Sequence, residues 1–404
     1  MKHLVLLCDG MSDRPVRELG GLTPMEAAKK PHMDRLCATA ELGMVKTVQD
    51  DMPPGSDVAN LSVLGYDPGV YYSGRSPLEA AGAGVTMKPS DVSFRCNLVT
   101  LSDEPDFRGK TMLDYCAGDI SSEEADVLIK FIDENLSKPP FKFHSGVSYR
   151  HLLIRDNGTL EVGALTPPHD ILDKKIADYI NPNPHSHELY ALMEKSAELL
   201  KNHPVNLERV KNGKRPANSI WLWGEGKSRA FPSFREKFGL TGAMISAVDL
   251  LKGIGKSVGM DVINVPGATG YLDTNFEGKA NAAIAALKAG ADLVYLHVEA
   301  PDECGHRAEV AGKVKAIELI DERILKLVLD AFEHEPIKIL ICPDHPTPLE
   351  LRTHTNEPVP FLIYDSRADF SGAGATTFTE RTTTESSLYL PFGHELMDRF
   401  VSVD

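Results

Sequence analysis

The chain has 404 residues, of which 42% are hydrophobic and 25% charged, and a formal net charge of −15. Such an acidic balance argues against nucleic acid or an anionic membrane as a general partner, and any anionic substrate would have to meet a local basic lining. The length points to two domains, each large enough to bury a core.

Cys8, Cys37, Cys96, Cys116, Cys304 and Cys342 are scattered without a CxxC pair, so free thiols and a cytoplasmic location are expected. The apolar run 4–8 is too short for a signal-peptide core or a membrane span. No feature of the sequence sets an oligomeric state.

In chain order, the run 3–8 reads as a buried strand that ends on Asp9-Gly10. Helical segments follow over 25–40, interrupted at Pro31, where the backbone loses a donor. The turn Gly55-Ser56-Asp57 then hands a serine to the start of a helix running through Leu61 and Leu64. A plain N-cap is the competing reading of Ser56. From 84 to 202 the pattern changes: 92–100, 146–155 and 160–165 read as half-buried antiparallel strands, and 121–135 as a helix. This stretch is expected to be an inserted α+β domain, leaving 1–83 and 203–404 as the core.

After a helix over 188–201, strand and helix alternate again. Buried strands are predicted over 218–223, 260–265, 292–298 and 337–342, and helices over 242–252, 279–289 and 309–332. The expected fold class is α/β: a mostly parallel sheet sandwiched by helices and assembled from both ends of the chain, with the insertion as a cap above it.

The chemistry gathers at the ends of these strands. Asp302 and His306 stand four apart, on one side of a helical turn, so both can reach one ion. Asp344 and His345 follow the strand 337–342, and His354 sits in a Pro- and Thr-rich loop before the strand 360–364. On its own, the stretch 344–354 also reads as a solvated loop. With Asp9 it makes three carboxylates and three imidazoles at one sheet edge, where α/β sheets collect ligands. Ionised groups so gathered repel one another unless a cation lies among them. Mixed oxygen and nitrogen donors favour manganese or zinc over a water-shelled magnesium. The number of donors suits two ions about 3.5 to 4 Å apart, an arrangement that stabilises attacking and leaving oxygens in phosphoryl transfer.

Cys8-Asp9-Gly10, Gly55-Ser56-Asp57, Asp302-x-x-x-His306, Asp344-His345 and His354-Thr355 before Pro358-Val359-Pro360-Phe361 resemble, in order and spacing, the alkaline phosphatase superfamily. They are most similar to its cofactor-independent phosphoglycerate mutases of the archaeal type. The resemblance extends to Ser148-Tyr149-Arg150-His151, Pro168-His169-Asp170, Trp221-Leu222-Trp223-Gly224 and Val265-Pro266-Gly267-Ala268-Thr269-Gly270.

The resemblance implies one metal on Asp302, His306 and His354, and another on Asp9, Asp344, His345 and the hydroxyl of Ser56. It makes Ser56 the nucleophile, and metal coordination is a recognised way to activate a serine hydroxyl. Two divalent ions are implied, manganese first, with zinc, cobalt or magnesium as alternatives, and no bisphosphoglycerate. Asp57 is left between a place near the reacting phosphate and a capping role. Arg95, Arg150, His151 and His169 from the insertion, with Lys227 returning from the core side, are candidates to hold a small phosphorylated acid. A surface charge or salt-bridge partner is the alternative for each. Gly224-x-Gly226-Lys227 lacks the spacing of a phosphate loop.

The implied reaction interconverts 3-phosphoglycerate and 2-phosphoglycerate through phosphoserine. A homoserine kinase-like phosphotransferase, a metal-dependent phosphohydrolase and a non-catalytic metal-stabilised binding protein are the rival readings.

Overall fold

A computed structural model of the chain describes residues 1–368 and 375–402. Among these, the strands in chain order are β1 (Lys2–Cys8), β2 (Glu41–Val45), β3 (Val92–Leu101), β4 (Met112–Asp114), β5 (Phe141–His144), β6 (Arg150–Arg155), β7 (Ser219–Lys227), β8 (Gly242–Ile245), β9 (Asp261–Ile263), β10 (Leu293–Val298), β11 (Ile337–Cys342), β12 (Val359–Asp365) and β13 (Tyr389–Leu390). They form two sheets. Two compact units result, one made of Met1–Tyr72 with the chain from Phe231 onward, the other of Ser73–Ala230.

The first unit holds an eight-stranded sheet in the order β13-β2-β12-β11-β1-β10-β8-β9. Only β12 runs against the others, pairing antiparallel with β11 and with β2. β10 and β11 are buried along their whole length and β1 from Leu4 to Cys8, which is why they read as continuous apolar runs rather than alternating ones. Leu4, Leu6, Val294, Leu296, Ile339 and Ile341 share one core with Ala283 and Leu287 of the helix Phe276–Ala289 and with Ile317 and Ile320 of the helix Val310–Ile320. Pairing register aligns the strand tips. Cys8 lies opposite Val298 and Leu7 opposite Cys342, so the carboxyl ends of β1, β10 and β11 stand side by side.

The second unit is built on a five-stranded sheet in which β3 pairs antiparallel with β4, β6 and β7. Phe94, Cys96 and Leu98 point from β3 into a core shared with Ile129 and Ile132 of the helix Ser122–Leu136 and with Leu189 and Met193 of the helix His187–Leu200.

The units divide at 72/73 and 230/231, not at 83/84 and 202/203 as the sequence pattern indicated. Pairing explains the difference. The segment 218–223, expected in the core sheet, belongs to β7 and lies antiparallel to β3, with Cys96 opposite Leu222. The helix Ser76–Gly82 goes with it, because the Ser76 hydroxyl donates to the Ser93 carbonyl (3.1 Å). The expected helix over 242–252 is strand β8 followed by the helix Asp249–Ser257, since an apolar Gly-Ala-Met-Ile run carries no period that separates strand from helix. Residues 160–165 form no strand; Gly163 takes a left-handed φ of +74° in the middle of the run. β2 carries no clear strand signal in the sequence because Glu41 and Gly43 interrupt its apolar pattern.

Gly43 in β2 lies opposite Phe361, and a side chain added there would meet that ring at 2.7 Å and the Leu388 carbonyl at 2.8 Å. Gly43→Val is therefore expected to cost about 1–3 kcal/mol, as overpacking does. Urea unfolding measures this, and an unchanged midpoint would contradict the register of β2 on β12.

Candidate active site

The aligned ends of the central strands deliver the charged groups. Asp9 follows β1 directly, and Asp344 comes two residues after β11; they are 4% and 0% exposed. Gly10 makes the turn after Asp9 possible. It has φ +61° and its backbone N–H donates to Asp344 Oδ1 at 3.2 Å. Asp302 lies in the helix Ala300–His306 that follows β10, and the expected one-turn spacing puts His306 Nε2 3.3 Å from Asp302 Oδ2.

All seven residues expected at the metal centre are brought together. His345 Nε2 stands 3.1 Å from the Ser56 hydroxyl, 3.4 Å from Asp344 Oδ2 and 3.7 Å from Asp9 Oδ1. The rings of His345 and His354 lie 3.9 Å apart between centroids. His354 Nε2 is 3.3 Å from Asp302 Oδ1 and 2.9 Å from His306 Nε2. Ligand atoms converge in two groups, Asp302 with His345 and His354, and Asp9 with His297 and Asp344. His345 thus stands with Asp302 and His354 as well as beside Asp344. His297, the fifth residue of β10, was not expected from the sequence; an imidazole inside an apolar strand carries no outward signal of its direction.

The electrostatics show why this arrangement calls for cations. Burial raises Asp9 well above the ordinary carboxylate range, and the charges of Asp344 and Asp302 push it further. Burial acts on Asp302 in the same direction, yet its hydrogen bonds with His306 and His354 outweigh it and hold the group low. His306 is raised to about 9 by its hydrogen bond to Asp302. Burial would lower His297, but Glu299 and Asp9 reverse this and bring it to about 10. Asp9 Oδ1 is buried with no hydrogen-bond partner. A buried carboxylate oxygen left in that state is costly, and a divalent ion is the partner that the neighbouring oxygen and nitrogen donors fit.

Ser56 opens the helix Ser56–Val63, but Gly55 holds the cap position and no side chain caps that end. The hydroxyl is therefore not the N-cap that its position in the sequence allowed. Asn60, one turn on, donates both to the Ser56 carbonyl and to Asp344 Oδ2, each at 2.8 Å, and accepts from the Tyr295 hydroxyl at 2.7 Å. It ties the serine to the metal-site carboxylate, a function that a mid-helix asparagine does not announce. Asp57 accepts from the Val58 N–H (2.9 Å) and the Tyr72 hydroxyl (2.7 Å), so both its oxygens are engaged at the helix start. The Thr347 hydroxyl donates to Asp302, and the buried Lys313 secures that loop by donating to the Thr347 carbonyl (2.8 Å) and to Asp13 (2.7 Å).

In the second unit, strand alternation sorts the expected cations. Arg95 lies 4.2 Å over the Trp223 ring, with its Nε 3.0 Å from Glu79, and Arg150 lies over Tyr149. His169 meets both Trp223 and Tyr115 edge-on. His151 does not join them. It pairs opposite Cys96 on the inner face, is 3% exposed and accepts from the Gly146 N–H at 3.0 Å. Lys227 closes β7 opposite Val92, and so belongs to this unit instead of arriving from the core.

The chain matches relatives over its whole length. It is 49% identical to the 2,3-bisphosphoglycerate-independent phosphoglycerate mutase of Methanosarcina acetivorans, covering 100% of both chains. The chain belongs to the 2,3-bisphosphoglycerate-independent phosphoglycerate mutase family. The family model of that description matches residues 38–206. A probable enzyme of this name in Geobacter sulfurreducens is 49% identical over 98% of this chain and 99% of its own. Among solved structures, a Pyrococcus horikoshii protein is similar with a TM-score of 0.83 at 31% identity, covering 100% of this chain and 98% of its own. The cofactor-independent phosphoglycerate mutase of Thermoplasma acidophilum gives 0.67 at 28% identity, with 99% of each chain covered. The architecture is that of the alkaline-phosphatase-like α/β fold.

A Cβ on Gly10 would fall 2.7 Å from Asp302 Cα and 2.6 Å from the Thr347 hydroxyl. Gly10→Ala is expected to lower bound divalent metal by at least about tenfold in affinity while far-ultraviolet circular dichroism stays native, since both strain and displaced ligands act at the site. Wild-type metal content in that variant would contradict the placement of Gly10.

Proposed function

We propose that the chain interconverts 3-phosphoglycerate and 2-phosphoglycerate through a phosphoserine on Ser56. The observation that carries this is a serine hydroxyl at a helix start that caps nothing and stands 3.1 Å from His345, a member of one of the two groups of side chains able to hold a metal. Ser56 Oγ attacks phosphorus, the bond from phosphorus to the glycerate oxygen breaks, and the released hydroxyl takes up the proton that the serine gives off. The other glycerate hydroxyl then attacks the phosphoserine, the bond from phosphorus to Ser56 Oγ breaks, and the proton lost by the attacking hydroxyl returns to the serine.

Two divalent ions, when bound, activate the hydroxyl and offset charge on the transferring group. The ligands proposed are Asp9, Ser56, Asp302, His306, Asp344, His345 and His354, and manganese suits their mixed oxygen and nitrogen donors. Backbone N–H groups at the start of the helix Ser56–Val63 favour an anion there. In the second unit, Arg95, also paired with Glu79, and Arg150 stand with His169, Trp223 and Tyr149 in a guanidinium and aromatic cluster, which supports a carboxylate-binding role for this unit. Among the described residues no helix is long and apolar enough to cross a membrane. The six cysteines are all buried thiols, which supports a reducing, cytoplasmic setting.

The test offers metal-loaded protein 3-phosphoglycerate without bisphosphoglycerate and, separately, homoserine with ATP. Formation of 2-phosphoglycerate is expected; phosphohomoserine alone would replace this reading with a kinase. Ser56→Ala should abolish transfer, because alanine has no oxygen to phosphorylate. Chelation should abolish it as well, with recovery on adding manganese. Arg150→Ala is expected to lower kcat/KM by roughly 10- to 1,000-fold with metal content intact, the effect of losing a charge-assisted contact to a bound anion. Unchanged kinetics would remove Arg150 from the substrate site.

A further inference from the structure

We propose that His297 is a direct ligand of the metal held by Asp9 and Asp344, and that Glu299 and Lys279 form a buried clamp that aims its ring. This rests on the two-ion reading above but does not depend on which substrate is turned over. His297 is 0% exposed, and its Nε2 is a buried polar atom without a hydrogen-bond partner. It lies 3.0 Å from Asp9 Oδ2 without the alignment of a hydrogen bond. Two donor atoms that each bind one ion at about 2.1 Å must themselves lie roughly 3 to 3.5 Å apart, and this pair does.

The other side of the ring is fixed. Nδ1 lies 3.1 Å from Glu299 Oε1, which also accepts from the Ser246 hydroxyl at 2.9 Å and from the Ala247 N–H at 2.8 Å. Lys279, itself 0% exposed, donates to Glu299 Oε2 at 2.5 Å and to the His297 carbonyl at 3.0 Å. Glu299 can only accept, and the Ser246 hydroxyl, 3.2 Å from Nδ1, gives its own hydrogen to Glu299, so Nδ1 carries the proton and Nε2 is left to face the ion, the arrangement by which a carboxylate orients a ligating histidine. A buried ion pair is weak as a source of stability, since apolar side chains of the same volume would serve as well. What Glu299 and Lys279 supply here is a direction.

The test titrates Mn2+ into chelator-treated full-length protein by calorimetry, with elemental analysis of bound metal after dialysis. Wild type is expected to bind two ions. His297→Ala should weaken one of the two by 100-fold or more, so that dialysed protein holds one ion, while the melting temperature of the metal-free protein stays near wild type. In Co2+-loaded protein, the visible absorption of one ion should change. If His297→Ala does not fold, Glu299→Gln carries the test: it keeps the ligand and loosens its aim, and one site should weaken by roughly 10- to 100-fold. Two ions bound with wild-type affinity and an unaltered cobalt spectrum in either variant would overturn the proposal. A wild-type protein that binds two ions without mutase activity would refute the proposed reaction and leave His297 where it is placed here.

Discussion

Three carboxylates, Asp9, Asp302 and Asp344, are buried within one edge of a single sheet, and their mutual repulsion is the constraint around which the rest of the first unit is arranged. Parallel pairing creates the problem by bringing the tips of β1, β10 and β11 into line. The same pairing answers part of it. It places four imidazoles among the carboxylates, and backbone N–H groups of Gly10 and His345 donate to Asp344. What remains is Asp9, raised far above its ordinary range and with one oxygen unpaired. Divalent ions are the partner that completes this balance, so metal binding and the integrity of the site are coupled.

The buried polar side chains around the site have a shared logic. Asn60 links the serine's backbone to Asp344, Lys313 holds the loop carrying Thr347, and Glu299 with Lys279 backs His297. Each network is satisfied on the side away from the reacting groups. In the reaction proposed for Ser56, a serine held in this way would be preorganised, and preorganised donors are worth more in a dry site than in water. In the second unit, β3 and β6 place Arg95 and Arg150 on the sheet face opposite the main core, the kind of local concentration of guanidinium groups that the proposed acidic substrate would need.

Much of this was legible in the sequence, and the exceptions have physical causes. The tips of β1 and β11 could be read because an apolar run ending in Asp is a strong local pattern, and Asp302 with His306 because one helical turn fixes their spacing. His297 could not, since its meaning depends on the neighbouring strand. The serine's cap reading failed because Gly55 accepts the extended cap conformation itself and leaves the hydroxyl to His345. Strand β7 lies in the second sheet and not the core sheet that its apolar run suggests, because such a run says that a strand is buried, never which sheet buries it. His151 and Arg150 are neighbours in sequence with opposite fates, set by the two-residue period of β6.

The central claim is that Ser56 carries the phosphoryl group between two hydroxyls. Its most direct test is to quench metal-loaded wild-type protein with acid during turnover of 3-phosphoglycerate and to examine the peptide containing Ser56 by mass spectrometry. A phosphate on Ser56, formed and lost at rates at least equal to turnover, is the predicted result. Full mutase activity with no phosphate on that peptide at any time point would contradict the account.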